Sequence, residues 1–493
     1  MRALQPAWPL LLALGVSVLA SCSVGPNFKT PEAPKVKGYL AEPLPEQSGA
    51  DAQQYVSGMD IPGQWWTLFH SPALDELVKQ SLEHNPTLQA AQANLRQANE
   101  NVAAQKGSYF PEVQASYGFS RNRDAIGTLA PVLNSNAPVY NLHTAQVSVT
   151  YLFDIWGVNR RQVESQQAQA DSQRYQLEAA YLTLTSNVVT AAIEEASLRA
   201  QIEATTQMID SERESARILH RQFELGSIAQ TDVMAIDAAV ANLEATLPPL
   251  QKQLAQQRHL LAALAGRFPS EEPSQKFELT DLTLPLEIPV SVPAALVRQR
   301  PDVLSAEAQL HGASADLGVA TANLFPQINL TGTKGGTSTV LNQLFDSGNT
   351  YWSVGGSLTQ TLFQGGTLIH KRRAAAAALD AAGAQYRAVV IGAFQDVADT
   401  LTALELDADA VNANLKAEHA AAESLQATRH NVELGLASYL ALLTAQQSYS
   451  QAVLNLAQAR ANRDSDTAAL LQALGGGWWN RDAPGHTNGT NGH

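Results

Sequence analysis

Two stretches of the chain follow one pattern: NPTLQAAQANLRQANENVAAQKGSYFP at 85–111 and RPDVLSAEAQLHGASADLGVATANLFP at 300–326. In each stretch a proline opens an alanine-rich segment with helical spacing, and Phe-Pro closes it 25 residues after the first proline. Alanine at so many positions favours long helices. The two stretches therefore predict one helical element that occurs twice.

Other segments repeat in the same order. Glu224-Leu225-Gly226 recurs as Glu433-Leu434-Gly435 at an offset of 209 residues. Such a period is far too long for a solenoid and predicts a tandem duplication. We divide the chain into a signal peptide at 1–21, an N-terminal segment at 22–70, a first repeat at 71–266, a proline-rich linker at 267–299, a second repeat at 300–477 and a disordered tail at 478–493.

Each repeat contains a predicted β-hairpin, at 112–153 and at 327–363. Apolar residues occupy every second position of 113–120 and 145–152, which gives each strand one apolar and one polar face. An ordinary half-buried hairpin would show the same alternation. Aromatic residues near the strand ends, and strands of about ten residues, favour strands that cross a bilayer. These aromatic residues are Tyr117, Phe119, Tyr151, Phe153, Trp352 and Phe363.

The strands also predict an oligomer. After residue 22 no stretch reaches 18 apolar residues, so a membrane-spanning part has to be built from strands. Four strands cannot close a barrel, and open edges in lipid would leave backbone groups without hydrogen bonds. The smallest outer-membrane barrels have about eight strands. Two chains would supply eight strands, and three chains would supply twelve.

A long helical hairpin follows each pair of strands, at 157–265 and at 366–474. No proline or loop cluster interrupts 157–225, which is about 100 Å long as a helix. The returning helix has apolar residues at heptad spacing, which is typical of coiled-coil packing, although Pro248-Pro249 should kink it. The heptad positions are Val233, Ile236, Val240, Leu243, Leu247, Leu250 and Leu254.

The N-terminus predicts secretion and lipidation. An apolar run at 10–20 follows Arg2 and is too short to span a bilayer, as in a signal peptide. Small residues precede Cys22, the single cysteine, as in the bacterial lipobox; the alternative is an ordinary cleavage site beside a chance cysteine. Ser23 in the next position resembles an outer-membrane sorting signal. Acyl chains on Cys22 would anchor the protein by burying their methylene groups in the membrane.

Composition argues against several other functions. The chain has 32 Lys+Arg and 46 Asp+Glu, a formal net charge of −14, so it lacks the basic character that nucleic acid requires. A single cysteine excludes a disulfide framework and a CxxC metal site. The histidines form no HxxxH or HExxH pair, and no GxxxxGK[ST] phosphate loop occurs. We expect no catalytic site, no metal and no cofactor.

Several short motifs then appear in a characteristic order. They are Val24-Gly25-Pro26-Asn27-Phe28 after the cysteine, Trp65-Trp66, the helix start at 71–77, Phe-Pro before each β-hairpin, Leu-Gly between the long helices, and Ala473-Leu474-Gly475-Gly476-Gly477-Trp478. With the duplication, they resemble the TolC-like outer-membrane factors of tripartite efflux systems, in their lipoprotein (NodT-type) branch. The resemblance covers nearly the whole mature chain.

This resemblance implies a mainly α-helical homotrimer with a membrane β part. Each chain would give four strands to a twelve-stranded β-barrel, and its long antiparallel helical hairpins to a periplasmic α-barrel. The trimer would lie in the outer membrane of a Gram-negative bacterium, lipid-anchored at Cys22. A periplasmic adaptor would couple it to an inner-membrane pump of RND type. Small molecules such as drugs would then leave passively through the channel.

The resemblance also implies two contact sites for the adaptor, at the turns between the long helices. A glycine there permits the left-handed turn that ends a helix, a role that is compatible with adaptor contact. The expected contact residues are Gly226, Ser227, Ile228, Ala229, Gly435, Leu436, Ala437 and Ser438.

A periplasmic gate is the remaining candidate site. Family members often place an Asp and an Arg shortly after the second turn, where Thr444 and Gln447 stand in this chain. A charged latch is therefore not expected here, and neutral hydrogen bonds hold more weakly than charge-assisted ones. Asp232 and Asp237 follow the first turn and would form an acidic ring, although Asp237 fits a solvated helix face equally well.

Two other functions compete with this interpretation. A periplasmic adaptor lipoprotein also has a long helical hairpin, but it needs β-rich domains that flank one hairpin, whereas this chain has two hairpins and bilayer-length strands. A lipid-anchored periplasmic enzyme would need a nucleophile with its base, or a metal-binding group, and the sequence contains neither pattern.

Overall fold

The computed structural model describes residues 23–36, 38–42, 47–48, 53–123, 139–290 and 293–481. The predicted signal peptide, Cys22 and most of the first strand–strand connection lie outside these residues. The expectation of a mainly helical chain is confirmed. The helices are α1 (Pro72–His84), α2 (Pro86–Lys106), α3 (Val158–Glu224), α4 (Gln230–Leu264), α5 (Pro293–Gln299), α6 (Pro301–Ala322), α7 (Thr367–Glu433) and α8 (Tyr439–Ala473).

The long helices of the two repeats have equal lengths. Helices α3 and α7 are each 67 residues long, and the helices that follow them, α4 and α8, are each 35. At 1.5 Å per residue the longer pair extends for about 100 Å. Only a short turn separates the two members of each pair, so each pair is a long helical hairpin.

The strands form two sheets. They are β1 (Gln47–Ser48), β2 (Gln53–Ser57), β3 (Glu112–Arg123), β4 (Val139–Phe153), β5 (Glu287–Val290), β6 (Gln327–Ser338) and β7 (Thr350–Thr359). The larger sheet has the antiparallel order β3-β4-β6-β7, and β4 pairs with β6 to join the hairpins of the two repeats. In the smaller sheet β2 pairs with β1 and, in parallel, with β5.

The chain divides into two compact units. The first comprises Met1–Pro31, Leu95–Ser172 and Ala306–Tyr386, and it contains the larger sheet. The second comprises Glu32–Asn94, Gln173–Ser305 and Arg387–His493, and it contains the smaller sheet and both turns between long helices.

The larger sheet leaves its apolar side chains uncovered. On β3 the exposed residues Val113, Tyr117 and Phe119 are two or four positions apart and therefore share a face. On β7 Trp352 and Val354 are each more than 70% exposed. Apolar surface that extends over several strands marks a contact with a membrane or with another protein.

The second unit is held together by coiled-coil packing. The heptad positions named above are all buried or half-buried on α4, and the residues between them are mostly exposed. Ile236 is fully buried, and the same spacing continues to Leu261 at the end of the helix. Pro248 and Pro249 lie inside α4, which is one continuous helix from Gln230 to Leu264.

Residues 478–481, at the start of the segment predicted to be a disordered tail, are packed. Trp478 Nε1 donates a 2.6 Å hydrogen bond to the carbonyl oxygen of Gln299. The guanidinium of Arg481 lies over the Tyr181 ring, 3.7 Å from its centroid, and pairs with Glu178. Cation–π and ionic contacts hold this segment. The sequence did not indicate them, because the neighbouring residues 482–493 are rich in glycine and asparagine. Residues 482–493 lie outside the described part.

Buried charge occurs where α8 approaches the smaller sheet. Asp464 and Arg463 are both buried, and both line a cavity whose other walls include Gln53 and the 279–286 segment. Burial raises the pKa of the Asp464 carboxyl to about 7, although Arg463 and Arg460 act in the opposite direction. The folded protein therefore favours a protonated, neutral Asp464.

Asp464→Asn should flatten the pH dependence of stability. In the unfolded chain an aspartate has a pKa of about 3.9, so between about pH 4 and pH 7 the folded state holds a proton that the unfolded state releases. Stability should fall as pH rises through this window, and removing the titrating group should reduce the fall. Thermal unfolding of the detergent-solubilised protein at several pH values measures it. Asp409→Asn, on an exposed part of α7, should keep the slope of the unmodified chain; equal slopes for both variants would contradict the assignment.

Candidate functional site: the turns between the long helices

The first turn ends α3 with a glycine in left-handed conformation. Gly226 has φ +75°. Its backbone N–H donates to the carbonyl of Phe223 at 2.8 Å, and the N–H of Ser227 donates to that of Gln222 at 2.9 Å. This pair of bonds is the Schellman motif, which satisfies carbonyls that the end of a helix would leave without donors.

The second turn has the same backbone arrangement. Gly435 has φ +74°, its N–H donates to Val432 at 3.0 Å, and the N–H of Leu436 donates to Asn431 at 2.8 Å. A Cβ atom added to either glycine would have no other atom within 4 Å, so the requirement for glycine comes from φ alone and not from crowding. Both Leu-Gly sequences are therefore turn signals with one physical cause.

The helices that leave the two turns are capped in different ways. Ser438 accepts a hydrogen bond from the N–H of Ala441 at 3.3 Å, which caps α8. The equivalent residue Ala229 has no such oxygen, and Asp232 instead accepts from the N–H of Ala229 at 3.3 Å. A complete capping box uses both bonds at one helix start, and here each turn has one half of it.

An apolar cluster supports both turns from behind. Leu219 on α3, Ile236 on α4 and Leu443 on α8 are buried together, and Ile228 and Tyr439 pack against them. The turns themselves present uncovered apolar side chains, namely Leu225, Leu434, Leu436 and Leu440. Six of the eight predicted contact residues are exposed, whereas Ile228 and Ala437 are half-buried.

The four gate candidates do not form one group. Asp232 is engaged as a cap. Asp237 Oδ1 accepts a 2.9 Å hydrogen bond from Nε2 of His220 on α3, and both side chains are about half exposed. Thr444 donates to the Leu440 carbonyl of its own helix at 3.0 Å. Gln447 is exposed.

A buried carboxylate that the sequence did not reveal lies close to the turns. Glu212 on α3 is only 5% exposed, and burial raises its pKa to about 7 against the influence of Arg429 on α7. Burial also raises the pKa of Tyr439 to about 12. No local sequence signal marks Glu212, because its partners come from helices about 200 residues further along the chain.

The segment that follows Cys22 is fixed within the first unit. Cys22 lies outside the described residues. The N–H of Val24 donates to the carbonyl of Trp156 at 3.1 Å. Gly25 meets Gly318 so closely that a Cβ on Gly25 would lie 2.6 Å from the Gly318 Cα. A larger residue at position 25 would force this segment away from Gly318.

Two side-chain contacts continue this attachment. Arg161, which is buried at the start of α3, donates to Asn27 Oδ1 at 2.6 Å. The Phe28 ring stacks on His311 with centroids 4.4 Å apart. The VGPNF motif of the sequence is thus a packing motif.

The part of the chain that the structure describes contains no cluster of three His, Cys, Asp or Glu side chains arranged to hold a metal ion. Among the same residues, no helix combines the length and apolar character needed to cross a membrane.

Comparison with known proteins gives matches over almost the whole chain. The family model described as "Outer membrane efflux protein" matches residues 77–267 and 292–476. Nodulation protein T of Rhizobium leguminosarum bv. viciae is 28% identical over 465 residues, 94% of this chain and 92% of that protein. The probable efflux pump outer membrane protein TtgC of Pseudomonas putida is 27% identical over 473 residues, covering 95% and 96%.

One relative and one solved structure add to this comparison. The probable outer membrane lipoprotein SilC of Salmonella typhimurium is 25% identical over 485 residues, 95% of this chain and 98% of that protein. The solved structure of the outer-membrane channel OprN superposes with a TM-score of 0.83 at 27% identity, and the match covers 93% of this chain and all of that one.

Exchanging the helix caps should change the local stability of the turns. Ser438→Ala removes the side-chain acceptor that caps α8, and Ala229→Ser supplies an equivalent acceptor at the start of α4. Each change is worth about 1 kcal/mol. Amide hydrogen exchange in the first helical turn of α8 should therefore accelerate roughly fivefold in Ser438→Ala. Exchange in the first helical turn of α4 should slow by a similar factor in Ala229→Ser.

Ser448→Ala, in the middle of α8, is the control for this exchange experiment. Its hydroxyl donates to the Thr444 carbonyl and caps no helix end. Unchanged exchange at residues 439–442 in Ser438→Ala would show that the 3.3 Å cap contributes nothing.

Proposed function

This chain belongs to the outer membrane efflux protein family, and on that premise we propose that it is the exit duct of a tripartite efflux system. The efflux-channel function inferred from the sequence is confirmed at the level of the family. Export through such a duct is passive, and the pump supplies the free energy. The observation that carries the more detailed proposal is the apolar, uncovered face of the four-stranded sheet.

Three chains would close this sheet into a membrane barrel. Strands β3 and β7 are the edges of the sheet, and in lipid their free backbone groups would be costly. Three copies joined edge to edge give twelve strands with no free edge, within the range known for outer-membrane barrels. The exposed Tyr117, Phe119 and Trp352 suit the interface between lipid and water. The two repeats, 71–266 and 300–477, would give the trimer approximate six-fold symmetry.

The two turns are the proposed docking surface for a periplasmic adaptor. Their glycines fix the backbone, the cluster around Ile236 holds them rigid, and Leu225, Leu434 and Leu436 offer uncovered apolar contact area. Apolar side chains in the centre of a contact contribute more than charged ones at its rim. The adaptor would link the channel to an inner-membrane pump, for which we propose the RND type.

The gate is proposed to work without a charged latch. Thr444 and Gln447 are neutral, and Thr444 is bonded to its own helix. Asp237 is the candidate for an acidic ring at the entrance, and with the net charge of −14 it would favour cations in the pore.

We also propose that Cys22 is lipidated and that the protein lies in the outer membrane of a Gram-negative bacterium. The relative SilC is described as a probable lipoprotein. The contact of Val24 with Trp156 places the segment after Cys22 beside the end of β4, at which a strand in the barrel would leave the membrane. Acyl chains there would reach the adjoining leaflet.

Deleting the gene should increase sensitivity to exported toxic compounds, and the intact gene should restore growth. Leu436→Asp should restore it poorly, because a carboxylate would enter the apolar docking surface. Leu341→Asp, the same change at an exposed leucine between β6 and β7, should restore growth fully. Minimal inhibitory concentrations at matched outer-membrane abundance measure both. Full restoration by Leu436→Asp would reject the docking surface; unchanged sensitivity after deletion, with no conductance in planar bilayers, would reject the channel.

Cys22→Ser should abolish lipid attachment. Metabolic labelling with palmitate, followed by mass spectrometry of the N-terminal peptide, should detect acyl chains on the unmodified protein and none on the variant. Ser23→Ala keeps the thiol and should remain labelled. An unlabelled wild-type protein would show that residues 1–22 are cleaved or retained without lipidation.

A further inference from the structure

A cavity of about 370 Å³ lies in the second unit, between α3 of the first hairpin and α7 and α8 of the second. Its volume is within the range of small-molecule sites. Its apolar wall includes Met208, Leu425 and Val453, and its polar lining includes Glu212 and Gln446. The chemistry of this cavity is independent of the docking and barrel proposals.

Two buried oxygen atoms of the cavity residues lack a hydrogen-bond donor. Glu212 is 5% exposed and Gln446 is 7% exposed. Within the described residues, Glu212 Oε2 and Gln446 Oε1 have no partner. A buried acceptor without a donor costs free energy, and the cost is greater for a charged group. Both atoms therefore call for a donor that the chain does not supply.

Arg429 is the cation that comes nearest to this role, but it does not fill it. Its charge acts to lower the pKa of the Glu212 carboxyl, yet among the described residues it donates no hydrogen bond to Glu212 Oε2. The side chain of Arg429 is exposed at the margin of the cavity. Arg429 thus leaves Glu212 Oε2 without a donor.

We propose that this cavity binds a small organic ammonium ion with N–H donors and an apolar body. The N–H groups would donate to Glu212 and Gln446, and the apolar body would lie against Met208, Leu425 and Val453. Charge-assisted hydrogen bonds to a carboxylate in a low-dielectric site are strong. Because the cavity joins α3 to α7 and α8, an occupant would also tie the first hairpin to the second close to the turns.

The binding should strengthen as pH rises from 6 to 8. Burial raises the pKa of Glu212 to about 7, so its carboxylate form becomes predominant in this interval. The other charged or titratable side chains that face it are Arg429 on α7 and Tyr439 and Tyr449 on α8. The pKa of Tyr439, raised by burial to about 12, lies far above this interval, and the change in affinity therefore reports on Glu212.

Isothermal titration calorimetry of the detergent-purified full chain tests the proposal with three matched probes at pH 8. The 2-phenylethylammonium ion should bind. Its N,N,N-trimethyl analogue has the same charge without N–H donors, and 3-phenylpropionate has the opposite charge; each should bind at least tenfold more weakly. Glu212→Gln should weaken 2-phenylethylammonium binding tenfold or more, whereas Arg429→Gln, which removes a competing cation, should strengthen it.

Glu214→Gln is the control variant, because it makes the same change on α3 at an exposed ion pair with Arg217. It should leave binding unchanged. Equal affinity for the ammonium ion and its trimethyl analogue, or unchanged affinity in Glu212→Gln, would overturn the proposal. If Glu212→Gln unfolds at a lower temperature than the unmodified chain, the probe series and the pH series on the unmodified chain decide the question. Loss of export with normal ammonium binding would affect only the proposed function.

Discussion

The unpaired edges of the four-stranded sheet are the constraint on which the rest of this protein depends. Strands β3 and β7 each have one side without a backbone partner in the described chain, and their apolar side chains face outward. Water can satisfy those amides and carbonyls, but lipid cannot. A chain that carries such a sheet into a membrane must meet other copies of itself. The proposed assembly of several copies follows from this requirement, whereas its proposed approximate six-fold symmetry follows from the duplication.

Local patterns predicted the elements well, because each has a cause within a few residues. Heptad spacing around Ile236 becomes the buried seam of α4, since a helix brings every third and fourth residue to one face. Alternation from Val113 to Phe119 becomes a strand with one apolar face. The glycines at 226 and 435 adopt positive φ, as the end of a helix requires.

The groups that the sequence could not reveal depend on distant partners. Glu212 looks like any acidic residue on a helix until α7 and α8 cover it. Trp478 and Arg481 stand beside a polar, glycine-rich tail, and only Gln299 and Tyr181 make them part of the packed unit. The split capping box is similar: Ser438 and Asp232 are ordinary residues until the two turns are compared. The two turns share one backbone arrangement, and each has a different half of the same motif.

The close approach of Gly25 to Gly318 has a mechanical meaning. Residues 24 and 25 have little freedom to move, because Val24 is hydrogen-bonded to Trp156 and Gly25 packs closely against Gly318. A lipid on Cys22 would therefore be joined to the protein by a short, fixed connection and not by a flexible linker. It would limit how far the sheet can move along the membrane normal relative to the lipid anchor.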